Sequence, residues 1–540
     1  LTVDARTRLT QMRAVERLAV RDATLFADPA VAADRLGWIG LPRHAAQQAA
    51  SLTAFGAEVA AAGVTDVVLL GMGGSSLAPL VLSRVFGHAQ GRPALHVLDT
   101  SSPQQVAAVL ASITPETTLV IVSSKSGTTV EPLSAAAVFR AWMERGLGQA
   151  ATGAHFAAVT DPGSPLEAYA EANGYLRVFL SPPDVGGRYA ALTPFATVPA
   201  ALGGIDVARI AASADDAEYR CGVETPDNPG AGLAAWLTDA YASGRDKLTL
   251  VVSEPYAAFG LWVEQLVAES TGKGGAGILP VLEDAPGNPP AHGADRMTFV
   301  LRTPDDASLA SLPCRLPVGE PVFESVVADP TDLGGEFVRW EWAVALFSAL
   351  SGIEPFDQPN VAEAKAATES ILAAAAPETA PDRITVGVAG RDEARLESLA
   401  SSLEGMLADV GAGSYLAVLL YLPDDPELLA PLRGACAALA AARGIAVTPE
   451  IGPRYLHSTG QYHKGGPRTG VFVVISAGSP DDLSVPGRSY TLGVLNRAQA
   501  AGDVAALRSH GRPVVHVALP DPGGAHVEAV AQALRALAEL

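Results

Sequence analysis

Two short segments of this 540-residue chain combine glycine, hydroxyl and lysine residues in a pattern suited to holding an anion. GMGGSS (71–76) follows the apolar run VTDVVLL, and SSKSGTT (123–129) ends the run TTLVIV. In each, an apolar run gives way within a few residues to a helical pattern. The first N–H groups of such a helix lack intrahelical partners, and the helix dipole favours negative charge there. Gly74, Ser75, Ser124, Lys125, Ser126 and Thr129 are therefore candidate phosphate ligands. Taken alone, SSKSGTT reads equally well as an ordinary Ser/Thr helix cap; its pairing with GMGGSS favours the anion. GMGGSS is not a dinucleotide fingerprint, because it lacks G-x-G-x-x-G spacing and an acidic residue at about the expected distance after it, and it is not a Walker P-loop.

Four later segments carry further reactive residue types. DVGGRYAALTP supplies Arg188. VEQLVAESTGKGGAGILP supplies Glu269. GIEPFDQPNVAEAK supplies Gln358 and Lys365; on its own, Lys365 reads as a solvated helix lysine. GPRYLHSTGQYHKGG supplies His457, with His463 and Lys464 close by, and imidazole titrates near neutrality. Lysine is scarce, since five of the 37 basic residues are lysine (Lys125, Lys247, Lys273, Lys365 and Lys464) and most of these fall in turn-like or Gly/Ser-rich segments. Lysine alone of the two cations can give up a proton near neutral pH when desolvated.

The elements that must position these residues are legible as alternating strands and helices. Residues 1–50 have helical spacing and no catalytic-looking cluster, and read as an N-terminal helical segment. From 51 to 205, VTDVVLL, ALHVLDT, TTLVIVSS, HFAAVTD and YLRVFL alternate with helical stretches, the pattern of a parallel sheet covered on both faces. Ligands of such sheets bind beyond the carboxyl ends of the strands, where GMGGSS and SSKSGTT lie. A second α/β lobe is expected over 206–380, from KLTLVVSE, GILPVL and RMTFVLR and the long helix candidate GEFVRWEWAVALFSALSG. Region 381–540, with ITVGVAG, YLAVLLYLP, GIAVTPEIG, GVFVVISA and PVVHVAL, is expected to complete that lobe. The predicted fold class is α/β, with two doubly wound parallel-sheet lobes behind the helical segment.

Composition removes several function classes. A net charge of −21 and a pI near 4.9 disfavour nonspecific nucleic-acid or anionic-membrane binding, so an anionic ligand needs a local basic pocket. No uninterrupted apolar run reaches the roughly 18–20 residues of a membrane span. Cys221, Cys314 and Cys436 make no metal spacing and are expected to be reduced core residues of a cytoplasmic protein.

GMGGSSLAP and SSKSGTT resemble the sugar isomerase (SIS) domain, in the form found in the glucose-6-phosphate isomerase family. The resemblance extends to the G-G-R segment with Arg188, an E-S-x-G-K element with Glu269, a glutamine and lysine seven residues apart (Gln358 and Lys365), and an L-H-S-x-G-Q element with His457. It implies SIS-like lobes and aldose–ketose isomerisation of glucose 6-phosphate and fructose 6-phosphate. In this scheme Gln358 joins the phosphate ligands, His457 and Lys365 open the ring, Glu269 moves the proton, and Arg188 stabilises a cis-enediolate. No metal, nucleotide or other cofactor is required. The alternatives are an isomerase that also accepts mannose 6-phosphate and a noncatalytic SIS sensor of a sugar phosphate. The order Glu269, Lys365, His457 departs from the family's usual glutamate, histidine, lysine, and His292 in PPAHGADR is the reserve for the histidine. Such an order resembles isomerases fused behind a transaldolase, an upstream domain that the start at Leu1 would fit. The resemblance further implies a homodimer in which each site takes its histidine from the neighbouring subunit.

Overall fold

The computed structural model describes residues 3–283, 293–360, 366, 368–372, 381, 384–388, 391–394, 396, 399–411 and 413–539. His292 and Lys365 lie outside the described residues.

The first apolar runs form β1 (Asp66–Leu70), β2 (Ala94–Leu98), β3 (Thr118–Ser123), β4 (Phe156–Thr160) and β5 (Arg177–Leu180), all parallel, in the order β2-β1-β3-β4-β5. Both faces of this sheet are covered. Val67 and Leu69 of β1 enter one apolar cluster, while Val68 and Leu70 enter another on the opposite face. That two-residue alternation explains why the run is continuously apolar. Strand order reverses between β1 and β3, so the crevice for a ligand opens between those two strands. Leu70 is in register with Val122, which brings GMGGSS and SSKSGTT out side by side at the crevice.

The second sheet contains β6 (Lys247–Val252), β7 (Leu279–Leu282), β8 (Arg296–Arg302) and β9 (Val322–Val326), parallel, in the order β7-β6-β8-β9. A third sheet gathers β10 (Thr385–Val388), β11 (Arg391–Ala394), β12 (Tyr415–Tyr421), β13 (Ala446–Ile451), β14 (Gly470–Ala477) and β15 (Val514–Leu519) in the order β11-β10-β15-β14-β12-β13. Its β15, β14, β12 and β13 are parallel, and β10 is antiparallel to both its neighbours. The doubly wound α/β reading therefore holds, with the later strands hydrogen-bonded into two sheets. These two sheets meet through side chains: Leu279 and Val281 of β7 pack with Tyr415, Ala417 and Leu419 of β12, and Ala268, next to Glu269, joins the same cluster.

The N-terminal helices and the buried helix Leu333–Ser351 share a single apolar cluster with one face of the first sheet and with the second sheet. The apolar stretch 189–205 contributes the fully buried helix Pro194–Leu202. Among the described residues no helix is long and apolar enough to cross a membrane. Cys221 and Cys436 are buried, whereas Cys314 is exposed, contrary to expectation, because it ends a short turn of which only Leu312 faces the core.

Candidate active site

The glycines of GMGGSS permit close packing of protein on protein. Gly73 has φ +54°, and a Cβ there would lie 2.8 Å from Gln265 Nε2 and 3.0 Å from His457 Cβ. A Cβ on Gly74 would fall 1.9 Å from the carbonyl oxygen of Gly187. The loop is thus pressed between the Arg188 turn and the His457 turn. Ser123 Oγ donates to the Ser75 carbonyl at 3.0 Å, which joins it to the second loop.

In that second loop, Gly127 takes φ +67° and lets the chain double back. Ser124 Oγ donates to Thr129 Oγ1 at 3.0 Å, and Ser126 and Thr128 hydroxyls lie 2.9 Å apart. Thr129 precedes the helix Val130–Leu147 without making a side-chain cap to it, so the first N–H groups of an 18-residue helix are left for another acceptor. Ser75 and Ser124 are buried at this edge. Lys125 faces elsewhere: its ammonium is paired with Asp161 and donates to the Pro183 carbonyl at 3.1 Å, bracing the loop against the end of β4.

Arg188 sits in the turn Gly187–Tyr189 and is 3% exposed. Its Nη1 lies 3.4 Å from Glu269 Oε2, Nε donates to Ser270 Oγ at 2.9 Å, and Nη2 donates to the Asp357 carbonyl at 2.9 Å and to that of Pro355. Glu269 belongs to the helix Phe259–Thr271. Gln265, one turn earlier on the same face, donates through Nε2 to Glu269 Oε2 at 3.2 Å and to the His457 carbonyl at 2.8 Å. Burial raises the Glu269 carboxyl above the ordinary carboxylate range, against the opposing influence of Arg188 and His457. A base with raised pKa beside a fixed guanidinium is equipped to move a proton at a carbon next to a carbonyl.

His457 Nε2 lies 3.1 Å from Glu131 Oε1, and Gln499 Nε2 donates to that same oxygen at 2.7 Å. A carboxylate only accepts, so this contact places a ring hydrogen on Nε2. His457, Glu131, Thr128, Thr129 and Gln499 help to line a cavity of about 160 Å³. His463 has another task, whereas Lys464 lines this cavity with His457. His463 is buried between Tyr415 Oη and Glu450, each at 3.0 Å, and Lys464 Nζ lies 2.6 Å from Asp503.

Gln358 is exposed on the loop whose Pro355 and Asp357 carbonyls hold Arg188. Lys273 Nζ bonds Asp357 Oδ1 of that loop at 2.6 Å and donates to the Glu354 carbonyl; burial, then the nearby Arg188, push its ammonium down to about 7. The fold thus brings Arg188, Glu269, His457, Ser75, Ser124 and Thr129 to one region. It adds Glu131, Gln265, Lys273 and Gln499, which sequence reasoning missed as site residues. Gln265 could have been found from its i−4 spacing to Glu269, and Lys273 from the scarcity of lysine. Glu131 and Gln499, 368 residues apart, give no local signal.

The family model described as phosphoglucose isomerase matches residues 5–274. The chain belongs to the phosphoglucose isomerase family. That match takes in both hydroxyl loops, Arg188 and Glu269, and ends before Gln358 and His457. A glucose-6-phosphate isomerase from Rubrobacter xylanophilus is 33% identical over 275 residues, 49% of this chain and 62% of the relative. The corresponding protein of Symbiobacterium thermophilum is 35% identical over 261 residues, 57% of its length. The chain thus spans about three fifths of these relatives. One from Enterococcus faecalis is 27% identical over 405 residues, 65% of this chain and 89% of the relative. Among solved structures, a hypothetical protein from Thermus thermophilus aligns with 68% of this chain and 96% of its own, at 26% identity and a TM-score of 0.58.

Proposed function

We propose that the chain interconverts glucose 6-phosphate and fructose 6-phosphate through ring opening and a cis-enediolate. The observation that carries this reading is the buried Arg188–Glu269 pair linked through Gln265 to the turn bearing His457. The names of the matched relatives support the same substrates. The hydroxyls of Ser75, Ser124, Ser126 and Thr129, the start of the helix Val130–Leu147 and Gln358 hold the phosphate, with Gly74 giving backbone access and Lys125 bracing the loop. Remote phosphate binding then positions the reacting carbons. His457, oriented by Glu131, transfers the proton that opens the ring, assisted by Lys365. Glu269 takes the proton from C2 and returns it to C1 while Arg188 stabilises the enediolate oxygen. On this reading the protein works in the cytoplasm as a homodimer.

The deciding experiment is Glu269→Gln with both sugar phosphates as substrates. Turnover should fall by a factor on the order of 100 or more, with affinity for a non-isomerisable sugar phosphate retained. Because Glu269 must be ionised to act and burial raises its pKa, wild-type kcat/KM should fall on acidification at a higher pH than an ordinary carboxylate would give. Turnover of the variant within a few fold of wild type would remove Glu269 from the mechanism.

A further inference from the structure

A second cavity, of about 530 Å³, is lined by residues from the regions of all three sheets. Arg84 from the helix Leu77–Phe86, Arg433 from the helix Pro426–Arg443 and Arg454 from the turn before His457 all reach it. Ala258, Leu261, Leu282 and Ile451 supply apolar wall. Three guanidiniums share this lining with the carboxyl groups of Glu264, Asp424 and Glu450. Arg454 is held by Asp99, at 2.7 and 2.8 Å, and by Asp424 at 3.0 Å. Arg84 is exposed, and it feels the repulsion of Arg454 and Arg433 together with the attraction of Asp424 and Asp99. An anion placed among them would relieve that repulsion. Of the two glutamates on the wall, Glu450 is engaged by His463 and Thr459, and burial followed by the nearness of Glu450 raises the Glu264 carboxyl, so Glu264 opposes an anion less than an ordinary carboxylate would.

We infer that this cavity is a regulatory site for a small phosphate-bearing organic anion with a compact apolar body, separate from the sugar-phosphate site. Guanidinium pairs match phosphate geometry through parallel N–H bonds, and the apolar wall suits a short carbon body. The cavity is joined to the candidate active site by three elements that touch both. The helix Leu77–Phe86 follows GMGGSS at its start and carries Arg84 near its end. The helix Phe259–Thr271 presents Glu264 to the cavity and Gln265 and Glu269 to the site. The turn Arg454–His457 has Arg454 in the cavity and His457 in the site, and the next residue, Ser458, donates to Glu264 Oε1 at 2.8 Å. An anion that draws Arg454 inward shifts the turn that carries His457.

The test titrates inorganic phosphate and phenyl phosphate into the wild-type chain and into Arg84→Leu/Arg433→Leu, followed by calorimetry. Phenyl phosphate should bind wild type more tightly than phosphate does, and the double variant should lose at least about tenfold in affinity for that event. Arg84→Lys, which keeps the charge but not the paired geometry, should fall between. At saturating sugar phosphate, phenyl phosphate should change wild-type turnover by about twofold or more while leaving the double variant, whose basal turnover is unaltered, unchanged. Isotherms that are the same in wild type and double variant, or a turnover response that survives the substitutions, would overturn the inference. The calorimetric arm reads the cavity even if the isomerase assignment fails.

Discussion

His457 is a single imidazole whose usefulness depends on a carboxylate 326 residues earlier in the chain. Glu131 fixes which ring nitrogen carries hydrogen, and Gln499 fixes Glu131. Replacing the carboxylate by an amide keeps the shape but allows the amide nitrogen to face the ring, which favours the other tautomer. Glu131→Gln is therefore expected to slow turnover of the cyclic sugar by a factor on the order of 100. Solvent-proton exchange of substrate supplied in open-chain form should change much less, since that step belongs to Glu269. Measuring both rates on one preparation separates the two roles, and equal losses in both would show that Glu131 holds the fold of the site and not the histidine. Glu131 was illegible in the sequence for a physical reason: in SSKSGTTVEP it reads as one more acidic residue in the first turn of a helix, where the dipole already favours it.

At the scale of the element, the loop GMGGSS shows what kind of information survives in sequence. Its glycines announced a close approach, and close approach is what the fold contains, but the approaching group at Gly74 is the Gly187 carbonyl. Local composition encodes crowding without naming the partner. Gly74→Ala would set a Cβ 1.9 Å from that oxygen and 2.3 Å from its carbon, and neither can swing aside as a side chain tip could. The Arg188 turn must move, so the variant should lose about 1–3 kcal/mol of stability, read by denaturant unfolding, along with most of its turnover. At Gly187 an added Cβ meets nothing within 4 Å, and Gly187→Ala should unfold like wild type. Strands followed the same logic. The buried ones read clearly as apolar runs, whereas β9, whose sequence VFESV lies half in solvent at the edge of its sheet, and the polar β11, RDEA, gave no such run. Division of the later strands into two sheets also escaped notice, because hydrogen-bond partnership between distant strands leaves no trace in the periodicity of either.

At the scale of the molecule, the later placement of the histidine becomes intelligible. Glu269 stands beside the second sheet and His457 follows β13 of the third, yet Gln265 touches both, at 3.2 Å to the carboxylate and 2.8 Å to the histidine carbonyl. The cluster of Ala268 with Leu279, Tyr415 and Leu456 packs the third sheet against the helix of Glu269. The resemblance implies a histidine from the neighbouring subunit; on the reading proposed above the same chain supplies it, since the turn bearing His457 meets the helix of Glu269 within one chain. That difference has a direct consequence for mixed assemblies. If Glu269 and His457 act in one chain, a Glu269→Gln chain and a His457→Ala chain each spoil their own site, and pairing them repairs neither. Unfolding the two inactive variants together and refolding the mixture should give no activity above the sum of the two alone, whatever the oligomeric state. Exchange of the histidine between subunits would instead create an intact site in each mixed dimer, and activity rising with the fraction of mixed dimers would refute assembly of the site within a single chain.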